Sequence, residues 1–275
     1  MQPSTKISKI VAVTNQKGGC GKTTTSINLA AALSSQNYKV LLVDLDPQAH
    51  CTLGLGIDPE TLERTIFDIL VGYKPNGILR LLRIKTLFEH NGIHNAILKT
   101  KFPNLDIIPS NILLSSVEVE LIRRKQETIL SKKLQELKKD YDFILIDCPP
   151  SLGIFTLNAL AAADGIIIPV QTHYFALEGT RQLLHSVDIV RQRFNHSLDI
   201  MGIVATLHNE NSEIEKEIIN GLRGFFKTGI FNTVIKFEPL LIESTSRGDP
   251  IGFYAPDSQG ARDYMELAKE VIEKC

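Results

Sequence analysis

The 275-residue sequence has no tryptophan, only four scattered cysteines, no long apolar run and almost no net charge. Each absence removes a class of protein. Cys20, Cys51, Cys148 and Cys275 form no CxxC pair and have no histidines at zinc spacing. Neither a disulfide framework nor a zinc knuckle is expected, and the thiols read as reduced. No stretch approaches the roughly 20 apolar residues that cross a bilayer, and the start, MQPSTKISK, lacks the apolar run of a signal peptide. The expectation is a cytoplasmic protein. With 30 Lys and Arg against 31 Asp and Glu, bulk charge cannot hold a monomer on nucleic acid or an anionic membrane. Such binding needs a local patch or a dimer. No repeat or low-complexity segment divides the chain, so a single domain spanning 1–275 is expected.

What is present is a series of short β-branched runs with helical stretches between them: 10–15, 40–46, 105–110, 143–148, 165–171 and 201–207. They are apolar on both faces, as strands of a parallel sheet covered by helices on each side must be. Residues 23–33, 117–138, 177–193 and 259–274 read as helices. The fold class is α/β: a doubly wound, mainly parallel sheet with helices on both faces, ligands being expected at the carboxyl ends of the strands. The stretch 72–102 is basic and mixed helix and loop, and reads as a solvated surface excursion.

The run IVAVTN leads directly into QKGGCGKTTT and then a helix, the context in which glycines become a phosphate cradle. Gly18, Gly19 and Gly21 let backbone N–H groups turn toward phosphate oxygens, aided by the helix N-terminus. Cys20 and Thr24 complete the loop, Lys22 is placed to reach the β- and γ-phosphates, and Thr23 to offer its hydroxyl to Mg²⁺. The cofactors expected are therefore ATP and Mg²⁺. The common GxxxxGK[ST] pattern is broken at Gln16, and a lysine, Lys17, stands ahead of the glycines instead.

This KGGxGKT form resembles the deviant Walker A motif of the ParA/MinD family of ATPases. The resemblance runs along almost the whole chain: VLLVDLDPQAH at 40–50, FILIDCPPSLG at 143–153, IIIPVQTHYFALEG at 166–179, and, near the C-terminus, ESTSRGDPIGFY and SQGARDYMELAKEVI. It implies a homodimer on ATP binding, in which Lys17 reaches the partner's ATP. It further implies that Asp147 holds Mg²⁺ through a water, that Asp44 lies near the metal, and that Asp46 positions the attacking water. An ordinary Asp, with a pKa of about 3.9, is too weak a base near neutrality, so Asp46 is expected to orient water more than to take its proton. Asp44 and Asp46 share a face only if the strand continues past Asp44. Asn209 is a candidate adenine contact, since Lys236 stands where the family has a proline.

ParA-like ATPases organise space: the ATP dimer binds DNA nonspecifically, a ParB-type activator or cargo adaptor stimulates slow hydrolysis, and plasmids, chromosome origins or protein assemblies are moved. Where the family's chromosomal members carry DNA-binding arginines, this chain has Asn211 and Leu240, and the segment 206–217 is acidic. Arg223, Lys227, Lys236 and Arg247 are the remaining candidates for DNA. A protein-only regulatory switch and an ATPase serving a metabolic reaction are the alternatives. Membrane binding, which would need a basic amphipathic extension after the closing helix, is not expected. Cys20, set among positive charges that tend to lower a thiol pKa, is a candidate for redox sensitivity, and a small buried hydrophobe explains the residue equally well.

Overall fold

The structure, a computed structural model, describes residues 8–71, 92–173, 176–226 and 229–275. Eight strands form one sheet among these residues: β1 Lys9–Val13, β2 Val40–Asp44, β3 Leu98–Lys99, β4 Leu105–Ile108, β5 Phe143–Asp147, β6 Gly165–Gln171, β7 Asp199–His208 and β8 Ile230–Lys236. Their order is β3-β4-β2-β5-β1-β6-β7-β8. All pairs are parallel except β3 with β4 at one edge. The mainly parallel, doubly wound fold read from the sequence is the one observed.

The central strands are buried on both faces, which is why they read as unbroken runs of Val, Ile and Leu rather than as alternating patterns. One face packs under α1 (Lys22–Ser35) and α11 (Gln259–Glu273), with Ile27, Leu29, Leu33, Tyr264 and Leu267 in its core. The other packs under α3 (Ile66–Val71), α5 (Ile129–Gln135), α6 (Ile154–Ala162) and α7 (Ala176–Arg193), with Leu70, Leu134, Leu160 and Val187. Short helices α2 (His50–Gly54), α9 (Pro239–Ser246) and α10 (Ile251–Tyr254) lie in the connections, and α8 (Glu213–Phe226) links β7 to β8.

Register places the site. Val13, Asp44 and Asp147 lie at one level across three neighbouring strands, since Val13 pairs with Asp147 and Asp147 with Asp44. The strand order turns at β1, which lies between β5 and β6, and such a switch point is where open α/β sheets bind ligands.

The single helix expected over 117–138 is two. α4 (Glu118–Arg123) ends where Lys125 adopts φ 55°, with the Lys125 N–H donating to the Ile122 carbonyl and the Gln126 N–H to that of Leu121. This is a complete Schellman stop with lysine where glycine is usual, so no breaker residue announces it. Of the excursion at 72–102, residues 72–91 lie outside the described residues. Its remainder forms a 3₁₀ turn at Ile93–Ala96 and the short β3.

Candidate functional site

After β1 the chain turns through residues 14–21 into α1. Gly19 at φ 71° and Gly21 at φ 82° occupy the left-handed region that side chains avoid, so the glycines make this turn possible. Gly21 is also the N-cap of α1 and leaves its first N–H groups without a side-chain cap. Those donors and the positive end of the helix dipole face the loop, an arrangement suited to phosphate.

Lys17, Gly18 and Gly19 are exposed, whereas Cys20 and Lys22 are buried. The Lys22 ammonium donates to the Lys17 carbonyl at 2.9 Å and lies 4.0 Å from Cys20 Sγ. Lys17 Nζ donates to Gln171 Oε1 at 3.2 Å, on the end of β6 of its own chain. The loop is pinned from below: the Lys17 N–H donates to Asn15 Oδ1, and Asn15 Nδ2 donates to the Pro169 carbonyl.

At Cys20 the structure favours the packing reading over the redox one. Burial pushes its thiol up, and the neighbouring Lys22 and Lys17 charges do not reverse this. A thiol with no exposed surface that donates to the Lys17 carbonyl is a small packing group, not an activated nucleophile.

Asp147, at the end of β5, accepts from Thr23 Oγ1 at 2.8 Å and from Ser26 Oγ at 2.7 Å. Burial pushes it up to about 6 against those two hydrogen bonds. Asp44 is fully buried, and burial, then the charge of Asp147, push it up to about 7. Its Oδ2 accepts from the Thr52 N–H and hydroxyl, at 2.8 and 2.7 Å, and its Oδ1 from the Asp46 N–H. β2 ends at Asp44, so the two aspartates do not share a strand face. Asp46 belongs to the following turn, its Oδ1 taking the Gln48 N–H and its carbonyl that of Ala49.

Ser26 and Thr52 were not anticipated. Ser26 had a signal, since it lies one helical turn beyond Thr23 and so on the same face of α1; Thr52 had none, because only tertiary packing brings it to Asp44.

Beside the loop opens an apolar cleft of about 390 Å³, lined by Gly21, Thr24, Ile235, Phe237, Leu241 and Tyr264 among others. This is within the size range of small-ligand pockets, and the lining suits a flat aromatic ring. Asn209 is not among its described lining residues: it is exposed, and its Oδ1 takes the Asn211 N–H instead. Arg223 and Arg247 are exposed, Lys236 is paired with Glu210 at 2.7 Å, and Lys227 lies outside the described residues.

No group of three or more His, Cys, Asp or Glu occurs among the described residues in a metal-holding arrangement. Mg²⁺ held together with phosphates needs only one or two carboxylates, because it keeps several waters. The Thr23 hydroxyl on Asp147, the adjacent Asp44, the buried Lys22 and the uncapped start of α1 therefore fit a magnesium nucleotide.

The comparisons agree with this geometry. Residues 8–200 match the AAA domain family. The chain is 42% identical to the sporulation initiation inhibitor protein Soj of Bacillus subtilis over 264 residues, covering 96% of this chain and 98% of Soj. It is 38% identical to the chromosome partitioning protein ParA of Myxococcus xanthus, covering 98% and 89%. Cobyrinic acid a,c-diamide synthase of Mycobacterium smegmatis with bound ADP and magnesium superposes with a TM-score of 0.79 at 31% identity, covering 97% of this chain and 95% of that one. With the family matched over residues 8–200 and Soj and ParA matched over most of their length, the chain belongs to the AAA domain family of ParA/MinD-type P-loop ATPases, whose cofactors are ATP and Mg²⁺.

Proposed function

We propose that this protein hydrolyses ATP slowly, dimerises on binding it, and uses the cycle to position or segregate DNA or a large protein cargo from nucleoid DNA. The observation that carries the reading is Lys17, an exposed lysine ahead of the glycines whose ammonium, among the described residues, is held by one hydrogen bond, to Gln171. One neutral acceptor at the rim is a weak tether, so Lys17 is free to turn toward the nucleotide of a second copy. The near-complete overlap with Soj and ParA supports partition or positioning as the use of the cycle.

Phosphoryl transfer has a loose transition state, so the chain acts by placing charge and orienting water. Lys22, with Lys17 of a second copy, stabilises charge on the γ-phosphate, and the backbone of Gly18, Gly19, Cys20, Gly21, Thr23 and Thr24 holds the phosphates. Thr23 and Asp147 would hold Mg²⁺, with Asp44 behind them, and bound Mg²⁺ supplies countercharge to the leaving phosphates. Asp46 orients the attacking water. Phe237 and Leu241 replace Asn209 as the proposed base contacts.

A second reading, a protein-only switch without DNA, is favoured by one observation. Around the start of α8, Lys216 is paired with Glu213 and Lys236 with Glu210, leaving Glu215 and Glu217 in excess of the lysines. Such a surface offers little to a phosphate backbone. Cosedimentation with nonspecific duplex DNA, at low and physiological salt, with ATP, ADP or no nucleotide, separates the two. Binding only with ATP, lost in Lys22→Ala and kept in Asp46→Ala, supports the DNA-riding ATPase; ATP-dependent dimers that never bind DNA support the protein-only switch.

A further inference from the structure

The phosphate loop is held from outside as well as within. Thr206, buried near the end of β7, donates its hydroxyl to the Cys20 carbonyl at 2.8 Å. The Cys20 carbonyl and the Gly21 N–H belong to one peptide unit, and no peptide bond among the described residues is cis. In a planar trans peptide these two groups point in opposite directions, so a partner that fixes the carbonyl also aims the N–H. Thr206 draws the carbonyl toward β7 and thereby turns the Gly21 N–H the other way. Its side chain also backs Gly21: a Cβ added there would lie 3.7 Å from Thr206 Cβ.

Thr206 is itself held. Its carbonyl accepts the Thr172 N–H at 3.3 Å, and Thr172 Oγ1 donates to Glu215 Oε2 at 2.5 Å. The same carboxylate oxygen accepts the Asn209 N–H at 2.8 Å and lies 3.2 Å from His208 Nδ1. Glu215 thus joins the first turn of α8 to the ends of β6 and β7. Against its partial burial, the bonds from Thr172 and Asn209 hold its carboxyl below the usual range, as befits an anion set among donors. Gln171, next to Thr172, carries the contact to Lys17, so both ends of the loop are tied to this corner.

We propose that Thr206 and Glu215 are positioning residues of the phosphate site, a brace running Glu215–Thr172–Thr206–Cys20 that aims the Gly21 N–H at the nucleotide. It rests on the ATP reading of the loop. Thr206 acts on the loop directly and Glu215 acts through it, which makes their effects dependent on each other.

The test uses the full chain and two pairs of variants. Thr206→Val removes the hydroxyl at nearly constant shape, and Thr206→Ser restores it; Glu215→Ala removes the acceptor, and Glu215→Gln restores an accepting oxygen. The readouts are the amide resonance of Gly21 in nucleotide-free protein, ADP affinity by calorimetry, and the melting temperature. Thr206→Val should shift the Gly21 amide and weaken ADP about fivefold to tenfold, the size of one lost hydrogen bond. Glu215→Ala should move both readouts in the same direction by a smaller amount, and Ser and Gln should return them. The double variant Thr206→Val/Glu215→Ala should bind ADP no more weakly than Thr206→Val alone. A Gly21 amide unmoved in both perturbing variants, with only the melting temperature lowered, overturns the brace. So do multiplying losses of affinity in the double variant. Failure of wild-type protein to bind ADP at all overturns instead the ATP reading beneath it.

Discussion

Replacing Asp147 with asparagine should make the nucleotide-free protein more stable at neutral pH while damaging its site. A carboxyl raised from 3.8 to about 6 loses about 3 kcal/mol when it ionises inside the fold. The sign follows from which state holds the proton more tightly. Below about pH 4 both folded and unfolded forms are protonated and nothing is lost. Between about pH 4 and 6 the unfolded chain ionises first, stability falls, and above that range the loss is constant. Asparagine never ionises, so it escapes the fall. It keeps an accepting oxygen for only one of the Thr23 and Ser26 hydroxyls, which costs about 1 kcal/mol at every pH. Asp147→Asn should therefore equal the wild type near pH 4.5 and exceed it by about 2 kcal/mol at pH 7.5, by these same terms. Urea unfolding at pH 4.5, 6.0 and 7.5, in EDTA and without nucleotide, measures the difference. A difference that does not change with pH would mean that Asp147 ionises in the fold as readily as in the unfolded chain. The same variant should lose most of the magnesium dependence of its ATP affinity, the familiar opposition between a strained site and a stable fold.

Three further outcomes follow from the same structure. Lys125→Gly relieves a left-handed lysine and should stabilise the protein by about 0.5–1 kcal/mol, read as a rise of about 2 °C in melting temperature. Gly248→Ala should do the reverse and cost about 3 kcal/mol or more, because φ there is 70° and the added Cβ would lie 2.4 Å from Gly56 Cα, a backbone atom that cannot swing away. With Cys20, Cys51 and Cys148 buried and Cys275 exposed, a thiol reagent should modify one cysteine rapidly in the native protein and four in urea. Rapid native modification of Cys20 would return the redox reading.

The sequence was most readable where one local rule decides the structure. The strands β1, β2, β4, β5, β6 and β7 are largely buried on both sides, so hydrophobic runs mark them, and Gly19, Gly21, Lys22 and Thr23 are fixed by the geometry of a phosphate loop. Edges and stops were less readable. β8, at the rim of the sheet, buries only Phe231 and Ile235 and leaves no continuous apolar run, and α4 is stopped by a left-handed lysine, Lys125, just past its end. The site's outer contacts were hidden because they are long-range. Thr52 reaches Asp44, and Thr206 reaches Cys20 across 186 positions of sequence; no spacing rule joins such pairs. At Cys20 the sequence left two readings open: two nearby lysines suggest a lowered thiol, but burial outweighs them.

The most direct test of nucleotide switching is the mass of the purified protein by light scattering with ATP and Mg²⁺ against ADP and Mg²⁺, for wild type, Lys17→Ala, Lys22→Ala and Asp46→Ala. Dimers are expected only with ATP, persistent in Asp46→Ala and absent in Lys17→Ala and Lys22→Ala. A mass that is the same in both nucleotides for all four proteins would contradict nucleotide switching.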